Sequence, residues 1–401
     1  MQAREDGQPG TPTLAQPERR NAMTLTSGLA RRLNTWWQNS PKTTLLMPAV
    51  LVVLLLSIFP LIVSLGLAFY QVNFVKGGIQ FKFVGTDNFG RLLSSDPTIG
   101  LYQREFLGRF GELSLIQWVI LAAFVGVMLY MMYQYVTSRR RKTFGVILRT
   151  IAILFATALA YLVLTTLSED GLPGSLVVTL IFVGASVTFE YMLGLGLALL
   201  VTQELPGKRF FRVLFLLPMM ITPVGIGFLF RMLTDTLMGP LAPAWVALGL
   251  ANFSWSSTGA GARIAVLIGN IWEWTPFMFI ILLAALEGTS REQIEASLVD
   301  GANRFQLFRY IIFPAIMPAS TTLLLIRMIE EFKIIDMPNI LTGGGPGTAT
   351  ESVTLHAYTL WRTLDLGTSA ALAYLLLVVV TFIAVVYVNS IRRRLLGDNV
   401  Q

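Results

Sequence analysis

The chain has 401 residues, of which 54% are hydrophobic and 13% charged, with a mean hydropathy of +0.65. A soluble domain carries about 25% charge, so this composition is that of an integral membrane protein, and its net charge of +7 must be read by position because Lys and Arg set topology. The absence of cysteine excludes disulfides, thiolate nucleophiles and iron–sulfur sites, and the single histidine, His356, excludes a multi-histidine zinc or haem site.

Residues 1–43 read as a cytoplasmic tail. Its first part is rich in Pro, Gln, Gly and charge, lacks apolar periodicity and reads as disordered rather than as a signal peptide. Leu29, Leu33 and Trp36 then fall at helical spacing beside Arg31 and Arg32. That pattern suits a short helix lying on the membrane surface, with a soluble linker as the alternative. A span needs about 20 apolar residues, and eight segments qualify: 44–70, 113–136, 145–167, 176–202, 210–233, 263–287, 311–337 and 369–391. If the N-terminus is inside, the inner segments hold 19 of the 30 basic residues and the outer loops six. This bias favours both termini in the cytoplasm. The chain is then expected to comprise the tail, a first helix and outer loop (44–99), a two-helix hairpin (100–172), a helical core (173–392) and a short tail (393–401).

The loop between the sixth and seventh spans carries the most specific motif. Glu295-Ala296-Ser297, three residues, Gly301, nine residues and Ile311-Ile312-Phe313-Pro314 make a complete spacing. It resembles the E-A-A loop of the membrane subunits of ATP-binding-cassette importers. That resemblance implies a short cytoplasmic helix docked on an ATPase subunit, with Glu295, Ala296 and Gly301 in the box and Phe305 and Phe308 on an apolar contact face. Asp300 and Gly301 are expected to break the helix, and Pro314 to begin the next span. "QELPGKRFFRVLFLLP" at 203–218, "DMPNILTGGGPGTAT" at 336–350 and "GTDNFGRLLSSDP" at 85–97 are also similar to carbohydrate-importer permeases of the maltose type, first permease subunit. The likeness covers most of 44–97 and 174–391, and implies an all-α bundle of about eight transmembrane helices with a type I importer fold. The hairpin at 100–172 departs from the usual six-span pattern. Two inserted spans leave the sidedness of everything after them unchanged.

Ionisable groups inside spans are costly and mark cavities, relays or buried pairs. Glu190, Arg231, Glu273, Arg327, Glu330, Glu331 and Lys333 are such groups. Arg327, Glu330 and Glu331 share a helix face by their spacing, and Glu273 lies among Asn270, Trp272 and Trp274. Two readings are open: a polar solute path, or structural ion pairs such as Arg327 with Glu331. The resemblance favours the path, formed by Asn270, Glu273, Trp274, Arg327, Glu330 and Glu331. Arg231 and Arg327 would also suit an acidic sugar. His356 reads as a loop contact. Gly343–Gly347 lacks the Lys-Ser/Thr of a phosphate loop, so ATP and magnesium are expected on a separate ATPase and no cofactor or metal in this chain.

The resulting expectation is a permease subunit of an ATP-driven importer for a sugar-like solute, in a bacterial inner membrane. Its partners would be a second homologous permease, an ATPase dimer, a solute-binding protein and lipid, with no nucleic acid. The rival from another class is an ion-coupled secondary transporter using the buried carboxylates. An intramembrane enzyme is disfavoured by the missing cysteine and the lone histidine.

Overall fold

The computed structural model describes residues 41–93, 106–137, 143–168, 171–203, 206–250 and 254–397. The surface helix expected near Trp36 and the basic turn Ser138–Lys142 lie outside these residues. Among the described residues, seven helices are long and apolar enough to cross a membrane. The chain divides into two units at Ser64. The first contains α1 (Pro41–Val53), a π turn (Leu54–Ile58) and the start of α2 (Phe59–Leu67). Pro60 follows the π turn, where the Phe59 N–H reaches back five residues to the Leu54 carbonyl. A proline removes a backbone donor, and a local π turn is one way a helix absorbs that loss.

The second unit begins with an antiparallel hairpin, β1 (Tyr70–Val75) and β2 (Gly78–Phe83). Tyr70, Val72 and Phe74 pair with Phe83, Phe81 and Ile79, which puts six apolar residues on one face. A short helix α3 (Asp87–Leu93) follows, and Asn88 donates to the carbonyls of Ala68 and Tyr70. The expected outer segment 71–112 thus contains secondary structure that hydropathy did not reveal. The strand pair β3 (Gly108–Arg109) and β4 (Leu172–Pro173) then brackets the inserted hairpin, α4 (Leu115–Thr137) and α5 (Thr143–Thr166).

The core starts with α6 (Ser175–Val201). The expected span 210–233 is not one helix. It is α7 (Lys208–Leu216), a 3₁₀ turn (Pro218–Met220) and α8 (Pro223–Thr234). Pro218 and Pro223 deny two donors within six residues, so the helix cannot run through. The short α9 (Ala242–Ala247) precedes α10 (Gly259–Glu287). After α10 come α11 (Arg291–Val299), α12 (Arg304–Leu307), a π turn (Phe308–Ile312) and α13 (Phe313–Glu331). From Arg304 to Glu331 the helix is continuous. Pro314 stands in the first turn of α13, as expected, but α13 continues the helical run from Arg304 through the π turn. The chain ends with α14 (Asp336–Leu341), α15 (Val353–Arg362) and α16 (Leu366–Gly397). His356 lies buried on α15, not in a loop, with its Nδ1 3.2 Å from the Ser175 hydroxyl.

Contacts along the helices give their directions. Ser186 meets Asn270, and Gly194 lies against Met278, so α6 and α10 run parallel. Lipid supplies no hydrophobic drive for helix association, and close approach of small residues does that work instead. A Cβ on Gly194 would lie 2.6 Å from the Met278 Cβ. Two parallel neighbours require a return crossing between them. The broken segment makes it: Arg212 pairs with Glu287, Phe215 with Phe279 and Phe230 with Trp272, antiparallel to α10. Glu190 meets Arg327, Tyr191 donates to Ser320 and Ala198 shares a buried cluster with Ile316, so α13 runs antiparallel to α6, while Tyr387 of α16 donates to the Thr321 carbonyl. The eighth crossing is therefore present in the second unit as two half-helices. A core of Ala198, Phe279, Leu282, Ile316 and Leu323 locks α6, α10 and α13 together at the end near α11.

Candidate solute cavity and coupling loop

Three helices place charge at the middle of the bundle. Glu273 is the midpoint of the 29-residue α10, Glu190 lies near the middle of α6, and Arg327 is one turn from the end of α13. The Arg327 guanidinium grips Glu190 with two parallel bonds, Nε to Oε2 at 2.7 Å and a terminal nitrogen to Oε1 at 2.9 Å. The same nitrogen donates to Glu331 one turn along its own helix. Asn270 completes the set by donating to Glu331 at 2.8 Å and to Ser186 at 3.0 Å. Glu190, Arg327 and Glu331 are each 2% exposed or less. Charge-assisted bidentate bonds of this kind are the strong ones, and they satisfy groups that would otherwise be costly inside a membrane.

The network forms one wall of a cavity of about 210 Å³. Every residue expected on the solute path lines it: Asn270, Glu273, Trp274, Arg327, Glu330 and Glu331. Trp274 sits over Arg327, with the guanidinium carbon 4.5 Å from the ring centre. Arg327, Glu330 and Glu331 do not share one environment, however. Glu330 is half-exposed and pairs with Lys333, while Arg327 and Glu331 are buried. Sequence reading left Glu190, Ser186 and Asp336 off the site. Glu190 was visible only as an intramembrane acid; its partner lies 137 residues away. A larger cavity, about 520 Å³, lies at the end of the bundle away from α11, lined by Arg231, Asp235, Trp255, Asn339 and Thr342 among others. Arg231 donates there to the Ile340 carbonyl. Asp235, just past α8, accepts from the Leu237 and Met238 N–H groups, which holds its carboxyl below the ordinary range.

The E-A-S box lies at the opposite end. Glu295, Ala296 and Ser297 are on α11, where Glu295 and Ala296 are exposed. Asp300 caps the helix and Gly301 follows at φ +82. The Gly301 N–H reaches the Leu298 carbonyl and the Ala302 N–H the Ser297 carbonyl, a Schellman stop. Asn303 and Gln306 then form a reciprocal capping box that starts α12. Phe305 is 72% exposed. Phe308, expected beside it, is half-buried with its ring 5.9 Å from that of Phe313. The large apolar side chains exposed along this segment are Leu298, Val299, Phe305 and Tyr310.

A family model described as the binding-protein-dependent transport system inner membrane component matches residues 190–395, more than half of the chain. The chain belongs to this family. The match removes the secondary-transporter reading, and it spans both the cavity helices and the box. The permease is 32% identical over 217 residues to the trehalose/maltose transport system permease protein MalF of Thermococcus litoralis, covering 54% of this chain and 74% of that one. It is 31% identical to the trehalose transport system permease protein SugA of Mycobacterium tuberculosis, over 54% and 68% of the two chains. It is 29% identical to the sn-glycerol-3-phosphate transport system permease protein UgpA of Yersinia pestis, over 54% and 74%. Among solved structures, a bacterial ABC transporter involved in import of the acidic polysaccharide alginate shares the fold, with a TM-score of 0.51 at 20% identity over 69% of this chain and 96% of that one.

Proposed function

We propose that this permease is one of two membrane subunits of an ATP-driven importer for a saccharide. A homologous second permease, a pair of ATPase chains and a solute-binding protein would complete it. ATP and magnesium belong on the ATPases, and both termini and the E-A-S loop face the cytoplasm. One observation carries the reading: α10 and α13, which supply half of the residues lining the cavity, are the two helices joined by the exposed loop at 288–303. Movement of α11 by a partner therefore pulls on both. The Arg212–Glu287 pair ties the base of that loop to α7 as well. The polar wall offers what a sugar needs: an aromatic face at Trp274, and the Glu273 carboxylate to accept from hydroxyls.

The test is reconstitution of the full transporter with its binding protein in liposomes. Wild type should couple ATP hydrolysis to uptake of labelled trehalose or maltose. Glu295→Lys, at an exposed position, should leave assembly intact and abolish solute-stimulated ATP hydrolysis. Full stimulation in that variant would overturn the coupling role of α11.

A further inference from the structure

We infer that the larger cavity, at the end of the bundle away from α11, is a second saccharide site, which receives the solute before the mid-membrane cavity opens to it. The inference rests on the import reading and adds a binding step to it. Size is the first argument. Sites for small molecules ordinarily enclose about 300–1,000 Å³. The cavity of about 520 Å³ lies within that range, and the mid-membrane cavity of about 210 Å³ lies below it. Of the two, the larger has room for a saccharide as it stands. The cavities are also stacked along the same elements. α8 gives Pro223 to the mid-membrane cavity and Arg231 to the larger one; α10 gives Asn270 and Glu273 to the first and Ala262 and Ala265 to the second; α14 gives Asp336 to the first and Asn339 to the second. Between these positions on each element falls one buried apolar cluster: Ile226 on α8, Val266 on α10 and Met337 on α14, with Phe230 packed against it. A Cβ built on Gly269 of α10 would stand 3.0 Å from the Met337 sulfur and 3.2 Å from the Phe230 ring. The three helices thus meet in an apolar septum, and a polar solute cannot pass until it parts.

The lining of the larger cavity suits a sugar. Hydroxyls both donate and accept, so recognition needs partners of both kinds. Arg231 spends one N–H on the Ile340 carbonyl, at 3.4 Å. Asp235 accepts from the Leu237 and Met238 N–H groups through a single oxygen, Oδ1. The other guanidinium N–H groups, the second oxygen of Asp235 and the Asn339 side-chain amide make no hydrogen bond to a described residue, and all three side chains line the cavity. They come from α8, the turn after it and α14. Trp255 adds an aromatic face from a fourth segment, its ring set edge-on to that of Trp245 with centres 5.9 Å apart. An aromatic wall with a few polar groups brought together from different elements is the usual make-up of a small-molecule site.

The native chain has no cysteine, so Ser256→Cys places a single thiol in the lining of the larger cavity. The assembled transporter, without binding protein or nucleotide, is treated with a hydrophilic maleimide while maltose or trehalose is titrated, with glycine betaine at equal osmolarity as the control. One of the sugars should slow labelling by mass action, about tenfold at about nine times its dissociation constant, and betaine should not. In the same background, Trp255→Ala should raise the half-protecting concentration about threefold or more, and so should Asp235→Asn, which keeps an oxygen for the turn. Either variant serves should the other fail to assemble. Trp255→Phe should retain most of the protection, and Glu273→Gln, in the mid-membrane cavity, should leave the half-protecting concentration where it was. Import is read separately, from ATP-driven uptake of the same sugars by the complete transporter. Uptake without protection of the thiol overturns the second site and leaves the import reading standing, as does protection that Glu273→Gln weakens as much as Trp255→Ala. Protection without uptake supports the site and counts against import of that sugar. Neither protection nor uptake, with either sugar, overturns the site and counts against the import reading as well.

Discussion

Arg327 bridges α13 to α6 through Glu190 and reaches along its own helix to Glu331. Each buried ion pays several kcal/mol of desolvation, and the cost is recovered only while the partners stay in place. Arg327→Met should therefore destabilise by about 3–5 kcal/mol, the usual penalty for stranding a buried charge. It should show as lost assembled complex and a lowered melting temperature. Glu330→Gln breaks only a half-exposed pair with Lys333 and should cost about 1 kcal/mol or less. If Arg327→Met assembles with wild-type yield and melting temperature, the network is not what holds α6 to α13. The pairing of Arg327 with Glu331 was legible in the sequence, since four-residue spacing on a helix brings side chains together. Glu190 was not, because periodicity says nothing about which distant helix will face a given charge. Glu330 lines the same cavity, as three-residue spacing suggests, but it pairs with the half-exposed Lys333 and not with the buried set.

At the scale of elements, backbone chemistry decided what hydropathy could not. The stretch 210–233 is apolar enough for a span, and a hydropathy window has no entry for a missing amide. Pro218 and Pro223 were visible all along, and together they break the segment into two half-helices. The stretch around Pro314 shows the milder outcome: Pro314, just after a π turn, and Pro318, one turn on, are both accommodated without loss of the helix. The loop that carries the E-A-S box was the best-read element in its backbone, because its spacing reports local turn chemistry. Gly301 stands at φ +82, and a Cβ added there would meet nothing within 4 Å. Its requirement is conformational, not steric crowding. Left-handed backbone costs an ordinary residue about 1–2 kcal/mol, less for Asn. Solute-stimulated ATP hydrolysis should accordingly fall in the order Gly301, Gly301→Asn, Gly301→Ala, Gly301→Val. A Gly301→Val transporter with undiminished stimulation would show that the Schellman stop does not position α11.

For the whole molecule, the direction of each helix fixes which parts can meet the solute. α10 and α13, backed by α6, give the cavity one wall, and Lys333–Met337, the turn into α14 and its start, close one side of it. The α4–α5 hairpin is attached elsewhere. Its base is clamped by the short ladder of Gly108 and Arg109 with Pro173 and Leu172, and by the Gly111 N–H on the Thr165 carbonyl. Farther along, Phe155 of α5 packs on Phe382 of α16, with ring centres 4.2 Å apart. α4 exposes Ile116, Val119 and Val127 along its length, as a helix facing lipid should. None of these hairpin residues lines the mid-membrane cavity. The hairpin should therefore be peripheral to the path. Single cysteines at Val119 and Val127 should react with a membrane-permeant maleimide at the same rate with and without saturating solute. A cysteine at Ile335 should be protected. Protection on α4 would place the hairpin at the seam between permeases or on the path itself. Equal reactivity at all three positions would instead remove the cavity from the route of the solute. The comparison thus tests the peripheral hairpin and the central cavity against each other in one cysteine-free background.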